Sequence, residues 1–305
     1  MAGFLVTGAS GFVGRALVAR LCREPDARVT AASRSAAEAG NPNVTSVRMP
    51  DFEPDTDWGT ALHAAGVVFH CAGLTPGGAE TSPAFRRINC DCTINLARQA
   101  AAAGVAHFVF ISTAQIHGAA TGARPFDERS AADPRSPYAV SKWEAEQALE
   151  ALSRETGMAV TIVRPPLVYG RGAKGNLAQL AKLARTGLPL PFAGADNRRS
   201  LVALDNLTDF LARCASRPAT GCDVYLIADG QDLSTGDIIA HLAPDQGTKA
   251  RLFSVPPRLM TGLMKAAGRG GMAERLFGSF QLDIGKARQE IGWTPVTTPD
   301  TAPWI

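Results

Sequence analysis

The chain predicts an α/β fold, a doubly wound parallel sheet of Rossmann type with a smaller, loop-rich α/β lobe toward the C-terminus. Three observations predict it. Short apolar runs alternate with helical segments through the first 165 residues. Those runs are continuous rather than alternating, which suits strands covered on both faces. The turn after the first run carries glycines at positions 8, 11 and 14, a spacing that joins a strand tightly to a helix.

The elements follow in order. Phe4, Leu5 and Val6 make the first strand, and residues 14–22 a helix with Ala16, Leu17 and Leu21 on one side. Residues 29–32, 67–70 and 108–111 are further strands. Residues 95–103 form a helix ending near Gly104, and 138–154 a long one ending near Gly157, a residue free to adopt the left-handed conformation of a C-cap. Residues 159–164 are the next strand, closed by Pro165 and Pro166. Beyond them Gly and Pro become frequent and the alternation fades. Residues 201–204 and 224–227 are candidates to return to the main sheet. The expected division is therefore 1–165, rejoined by about 201–228, as one domain, with 166–200 and 229–305 as a second lobe.

Length and composition exclude several classes. The 305 residues are 46% hydrophobic and 19% charged, as in a packed globular chain. The net charge of +3 is spread without a basic stripe interleaved with aromatics, so a nucleic-acid partner is not expected. Six cysteines show no CxxC pair and no histidine at zinc spacing, so neither metal nor disulfide is expected. Apolar runs such as 104–111 are too short to cross a bilayer, so no membrane partner is expected, and a cytoplasmic location follows.

Residues 7–14, TGASGFVG, directly follow the first strand and open the first helix. Gly8, Gly11 and Gly14 allow a tight turn and let a pyrophosphate approach the backbone, while the helix N-terminus offers N–H donors. With Ser10, Phe12 and Val13 they form a candidate dinucleotide site. An NAD enzyme commonly carries a carboxylate after the second strand, for the ribose 2′-hydroxyl. Here that place holds Ser33 and Arg34. A guanidinium suits a 2′-phosphate, so NADP(H) is expected, with NAD(H) the alternative and a solvated Arg34 the bland reading. Asp51 and Phe52 are candidates for the adenine edge, or else a helix cap and its neighbour.

Tyr138 and Lys142 stand four residues apart at a predicted helix start, hence on one face. A free phenol titrates near 10. An adjacent ammonium would lower that value toward the range in which general acid–base catalysis works. Alone, the pair would read as a surface Tyr and Lys on an amphipathic helix. Ser112 and Thr113 follow the strand at 108–111, at the sheet edge where ligands bind. Thr113 could bond a reacting substrate oxygen, and Asn89 could hold a backbone group or water in line with Lys142. Their structural alternatives are a strand-end cap and a helix cap.

The runs VTGASGFVG (6–14), HCAGL (70–74), INCDCTINL (88–96), ISTAQIHG (111–118), YAVSK (138–142) and RPPLVYGRG (164–172) resemble the extended short-chain dehydrogenases, the NAD-dependent epimerase/dehydratase family acting on sugar nucleotides. The resemblance continues through RRSLVALDNL (198–207) and LDIGKARQEIGWTP (282–295). It implies Tyr138 as acid/base, Lys142 as its partner and Thr113 in the family's Ser/Thr position. It further implies cofactor contacts from Cys71, Ala72, Gly73 and Pro165, and substrate contacts from Arg199, on the diphosphate, and Asn176. Homodimerisation through the helices around 89–103 and 138–154 is implied as well.

Three departures bear on the reaction. Where dehydratases of the family carry an Asp-Glu pair after the Thr, this chain has Ala114 and Gln115, which disfavours dehydration. The missing carboxylate after the second strand argues against a permanently held NAD, the arrangement 4-epimerases use. His117 replaces a usual Tyr. The first expectation is thus NADPH-dependent reduction of a 4-keto nucleotide sugar at C4, the second NAD-dependent 4-epimerisation, and a remote third a non-catalytic NADP-binding sensor.

Overall fold

The computed structural model describes residues 3–34, 40–49, 52–77, 81–173, 175–217 and 219–305. The strands are β1 (Gly3–Thr7), β2 (Arg28–Ser33), β3 (Val44–Arg48), β4 (Val67–His70), β5 (His107–Ile111), β6 (Ala159–Arg164), β7 (Leu167–Tyr169), β8 (Leu201–Ala203) and β9 (Cys222–Leu226). Seven of them form one parallel sheet in the order β3-β2-β1-β4-β5-β6-β9. The order reverses between β1 and β4, and it is outside the carboxyl ends of strands at such a switch that open α/β sheets bind ligands.

The helices are α1 (Phe12–Leu21), α2 (Gly59–Leu62), α3 (Ser82–Arg86), α4 (Cys92–Ala102), α5 (Pro137–Thr156), α6 (Asn176–Arg185), α7 (Leu204–Ala215), α8 (Thr235–Asp245), α9 (Pro257–Ala266), α10 (Gly270–Phe277) and α11 (Gly285–Ile291). Side chains alternate along each strand, so the apolar runs feed two cores. Phe4 and Val6 pack with Leu17 and Leu21 of α1, Phe210 of α7 and Trp293 on one face. Leu5 packs with Leu96 and Ala100 of α4 and Leu149 of α5 on the other. A third core lies in the C-terminal lobe around Tyr169, Leu177, Phe192 and Trp304.

Local signals explain the ends of α5. The Ser136 side chain accepts from the Ala139 N–H, Pro137 opens the first turn, and Gly157 closes the helix in the left-handed region at φ 75°.

The structure departs from the sequence expectations in three places. β3 was not expected, because an edge strand whose residues are half-buried or exposed lacks the continuous apolar signature. Residues 201–203 do not join the main sheet. β8 pairs with β7 in a separate two-stranded sheet, and only β9 joins, beside β6. The C-terminal stretch read as loop-rich holds α8 to α11. These helices run only 7 to 11 residues, and α9, α10 and α11 open on Pro257, Gly270 and Gly285, so their composition mimics loop.

Candidate active site

The glycine turn sits at the end of β1, against the end of β4. Gly8 has φ 65°, and a Cβ there would meet the Ala72 backbone nitrogen at 2.8 Å. A Cβ on Gly14 would meet the Gly8 carbonyl oxygen at 2.3 Å, so the first turn of α1 can lie this close only with glycine. Gly11 is the N-cap of α1, and no side chain caps the helix. Its first N–H groups are therefore free for an anion. A shallow backbone cradle with oriented donors fits the pyrophosphate of a dinucleotide. Ser10 and Gly11 are exposed at the turn, Phe12 and Val13 half-buried behind it.

A buried relay ties this turn to the catalytic side. Thr7 and His70 are register partners on β1 and β4. The Ala72 N–H donates to Thr7 Oγ1 at 3.3 Å, and Thr7 Oγ1 lies 2.7 Å from His70 Nδ1. His70 Nε2 is 3.0 Å from Thr93 Oγ1, which donates to the Asn89 carbonyl at 2.8 Å. Thr93 has one proton and spends it on Asn89, so His70 donates from Nε2 and accepts at Nδ1 from Thr7. That assigns a neutral ring. Burial, with the Lys142 charge added, holds its pKa down at about 3.

Asn89 sits on a π-helical stretch, Arg87–Asp91, between α3 and α4. Its amide clamps Leu74 from both sides, accepting from the Leu74 N–H at 2.8 Å and donating to its carbonyl at 3.1 Å. Asn89 Nδ2 also donates to Ser141 Oγ at 3.1 Å, and Ser141 in turn to the Tyr138 carbonyl at 2.8 Å. A Cβ on Gly73 would come within 2.9 Å of Asn89 Oδ1 and 3.5 Å of Lys142 Nζ. Asn89, Gly73 and Lys142 thus converge on one spot.

Thr113 follows β5 and caps a 3₁₀ turn, Ala114–His117, accepting from the Gln115 N–H. Its hydroxyl draws the Tyr138 pKa down against the effect of burial. The expected charge pairing is not made. Lys142 Nζ donates to the Ile111 carbonyl at 2.8 Å and lies 4.5 Å from the Phe110 ring centre. Burial pushes the Tyr138 phenol up to about 12, opposed by Thr113 alone, and burial brings Lys142 down to about 8. Desolvation outweighs charge here because the ammonium is turned to a backbone oxygen. Cys71 nearby is held as a thiol, its pKa raised to about 12 by burial. The Pro165 carbonyl accepts from the Ala114 N–H, tying the end of β6 to the same turn.

Other predicted residues lie farther out. Ser33 and Arg34 end β2, with Arg34 exposed. The Phe52 ring packs edge-on against Trp58 and faces His70 at 5.9 Å. Asp51 lies outside the described residues, and Asn176 opens α6. Arg199 lies in the C-terminal lobe, bridged to Leu233 and Phe280. It donates to the Gly278 carbonyl at 3.0 Å, and among the described residues no carboxylate pairs with it. Burial lowers its pKa.

Sequence reasoning missed the Thr7–His70–Thr93 relay, although a histidine closing the apolar run at 67–70 was a usable signal. It also left His117 unread. His117 Nε2 is 3.0 Å from Arg164 Nη1, and its Nδ1 faces the Ala131 carbonyl at 3.4 Å. Arg164 is held by Glu146 through Nε at 3.1 and 3.2 Å and Nη2 at 2.5 Å. The neutral ring thus satisfies a proton of a buried guanidinium and anchors the loop before α5. Removing one partner of such a buried pair costs about 3–5 kcal/mol.

Residues 4–228 match the NAD dependent epimerase/dehydratase family. The chain belongs to that family. The UDP-glucose 4-epimerase of Vibrio cholerae is 36% identical over 300 residues, spanning 96% of this chain and 91% of that protein. Among solved structures, UDP-glucuronic acid 4-epimerase from Bacillus cereus in complex with NAD superposes with a TM-score of 0.79 at 20% identity, covering 98% of this chain and 95% of that one. RMD from Pseudomonas aeruginosa complexed with NADPH gives 0.73 at 24% identity, covering 99% and 96%. The seven-stranded parallel sheet with its flanking helices matches the architecture of these structures. No helix among the described residues is long and apolar enough to cross a membrane.

Proposed function

We propose that this protein inverts C4 of a UDP-linked hexose, a 4-epimerisation, with Tyr138 moving the hydroxyl proton. The observation that carries the chemistry is the convergence of Asn89, Gly73 and Lys142 beside Tyr138, at the carboxyl ends of β4 and β5. A nicotinamide dinucleotide held at Gly8, Gly11 and Gly14 supplies a hydride acceptor and donor. Thr113 orients the C4 oxygen, and the phenol takes or returns its proton. A phenol raised to about 12 is held protonated, ready to donate. To act as base it needs added positive charge nearby, which Lys142 brings when it turns from Ile111 toward the phenol.

Lys142 and Asn89 hold the floor of the site, and Cys71, Ala72, Gly73 and Pro165 its wall. Residues 166–200 and 229–305 hold the sugar and its nucleotide, with Arg199 on the diphosphate and Asn176 on the substrate. A homodimer through α4 and α5 completes the reading. The choice of epimerisation over net reduction follows the Vibrio cholerae relative. Dehydration lacks its acid and base, because Ala114 and Gln115 follow Thr113.

One observation favours a second reading, NADPH-dependent reduction of a 4-keto nucleotide sugar. Arg34 stands exposed at the end of β2, where a 2′-phosphate would be met. The test is to incubate purified protein with UDP-glucose or UDP-galactose without added cofactor and resolve the two by chromatography. Interconversion is expected. Absence of interconversion, together with stoichiometric NADPH oxidation by a 4-keto sugar nucleotide, overturns the first reading in favour of the second.

A further inference from the structure

The C-terminal lobe carries a surface that the proposed chemistry does not use. α9 has no buried residue. Leu259 is 55% exposed and Leu263 60%, one helical turn apart on one face. Met272, in α10, is 50% exposed, and Phe253, just before α9, 46%. These are four of the seven large hydrophobic side chains exposed among the described residues. They fall within twenty positions of one another. Single exposed apolar residues are ordinary, but a cluster marks a contact surface.

Charge says what kind of contact. Residues 249–275 hold six basic side chains, Lys249, Arg251, Arg258, Lys265, Arg269 and Arg275, against one acidic, Glu274. The stretch is thus net +5 in a chain whose total is +3, so the rest of the molecule is net negative. All six are exposed, and among the described residues none is in an ion pair. On α9, Arg258 and Lys265 are seven residues apart, a stripe that runs beside the one holding Leu259 and Leu263. An apolar stripe flanked by unpaired cations is the pattern of a helix lying in the interface of an anionic bilayer.

We infer that the α9–α10 hairpin docks this protein on an anionic phospholipid surface, with Leu259, Leu263 and Met272 entering the headgroup boundary and Arg258, Lys265 and Arg269 pairing with lipid phosphates. This departs from the sequence expectation of no membrane partner, which rested on the absence of a spanning segment; an interfacial helix needs no span. The hairpin also adjoins the candidate site. The Leu276 and Gly278 carbonyls, at the end of α10, accept from Asn197 Nδ2, and Gly278 from Arg199. Docking through the hairpin therefore holds the Arg199 side of the site near the membrane. The inference stands whichever reaction the site performs.

Cosedimentation of the full chain with vesicles tests it. Vesicles of phosphatidylglycerol and phosphatidylethanolamine are compared with vesicles of phosphatidylcholine alone. Binding to the anionic vesicles is expected to exceed that to the neutral ones at least about tenfold and to weaken in high salt. Leu259→Ser with Leu263→Ser, and separately Arg258→Glu with Lys265→Glu, should each lower it about tenfold or more. Both variants should keep the turnover of a soluble nucleotide sugar, which reports that they fold. Equal binding of wild type and leucine variant overturns the proposal, because the patch then takes no part. So does an absence of vesicle binding, and so does a dimer that the leucine variant converts to monomer without any lipid effect, which reassigns the patch to a second copy of the chain.

Discussion

The two sides of the candidate site are built on opposite plans. On the dinucleotide side, polar groups are buried, neutral and satisfied by one another. Thr7, His70, Thr93 and Asn89 form one directed chain of hydrogen bonds inside the sheet and the helix beside it. On the side proposed to meet the sugar nucleotide, Arg199 is partly buried, and among the described residues its side chain bonds only the Gly278 carbonyl. The first side is finished by folding alone. The second has a charge that folding leaves uncompensated, and a desolvated, unpaired charge is costly unless a ligand completes it. The difference teaches where to look for specificity: the self-satisfied side sets geometry, and the proposed role of Arg199 leaves selection of the anion to the other side.

The sharpest way to break this division is Tyr138→Phe. The substitution removes the proposed proton carrier and leaves the glycine turn untouched, so turnover should fall about 10²–10⁴-fold while dinucleotide affinity stays within a few-fold. Kinetics and a fluorescence titration measure the two quantities. A variant that loses both equally would show that the phenol belongs to the cofactor side instead.

Acid should attack the buried neutral histidines, His70 on the finished side and two others in the surrounding fold. His70 is held at about 3 and His107 at about 4, and His117 is also lowered, each mainly by burial. A folded-state pKa below the unfolded value near 6.5 means that the unfolded chain binds the extra protons. The stability these rings contribute is complete above about pH 6.5 and is lost as pH falls toward 4 and 3. Urea unfolding between pH 7 and 4.5 should therefore show a loss of several kcal/mol. His70→Gln, less stable at pH 7, should show a shallower slope. An unchanged slope in that variant would remove His70 from the account.

The smallest effect should come from the unfinished side. Arg199→Ala removes charge-assisted bonds of about 1.5–3 kcal/mol, so KM for a nucleotide sugar should rise about 10- to 100-fold with kcat little changed. A fall in kcat at constant KM would place Arg199 at the reacting carbon and away from the diphosphate.

What could be read in advance follows the same line. The glycine turn, the Tyr138–Lys142 spacing and the strands at 4–6, 67–70 and 108–111 are local patterns, each contained in fewer than ten residues. Helix α9 was not foreseen, because Pro, Gly and short length hide a helix whose outward face meets no core. β8 was placed in the wrong sheet because three apolar residues specify a strand and leave open which strand they pair with.

By itself, then, the order of residues determined the strand–turn–helix of the dinucleotide site, because glycine tolerance and apolar continuity act over neighbouring positions. Only the tertiary structure decided that His70 is neutral and joined to Thr7 and Thr93, that Lys142 turns to Ile111, and that His117 serves Arg164. Those partners lie 23 to 63 positions apart. Protonation state depends on burial and on which donor faces which acceptor, and neither exists until the strands have been brought side by side.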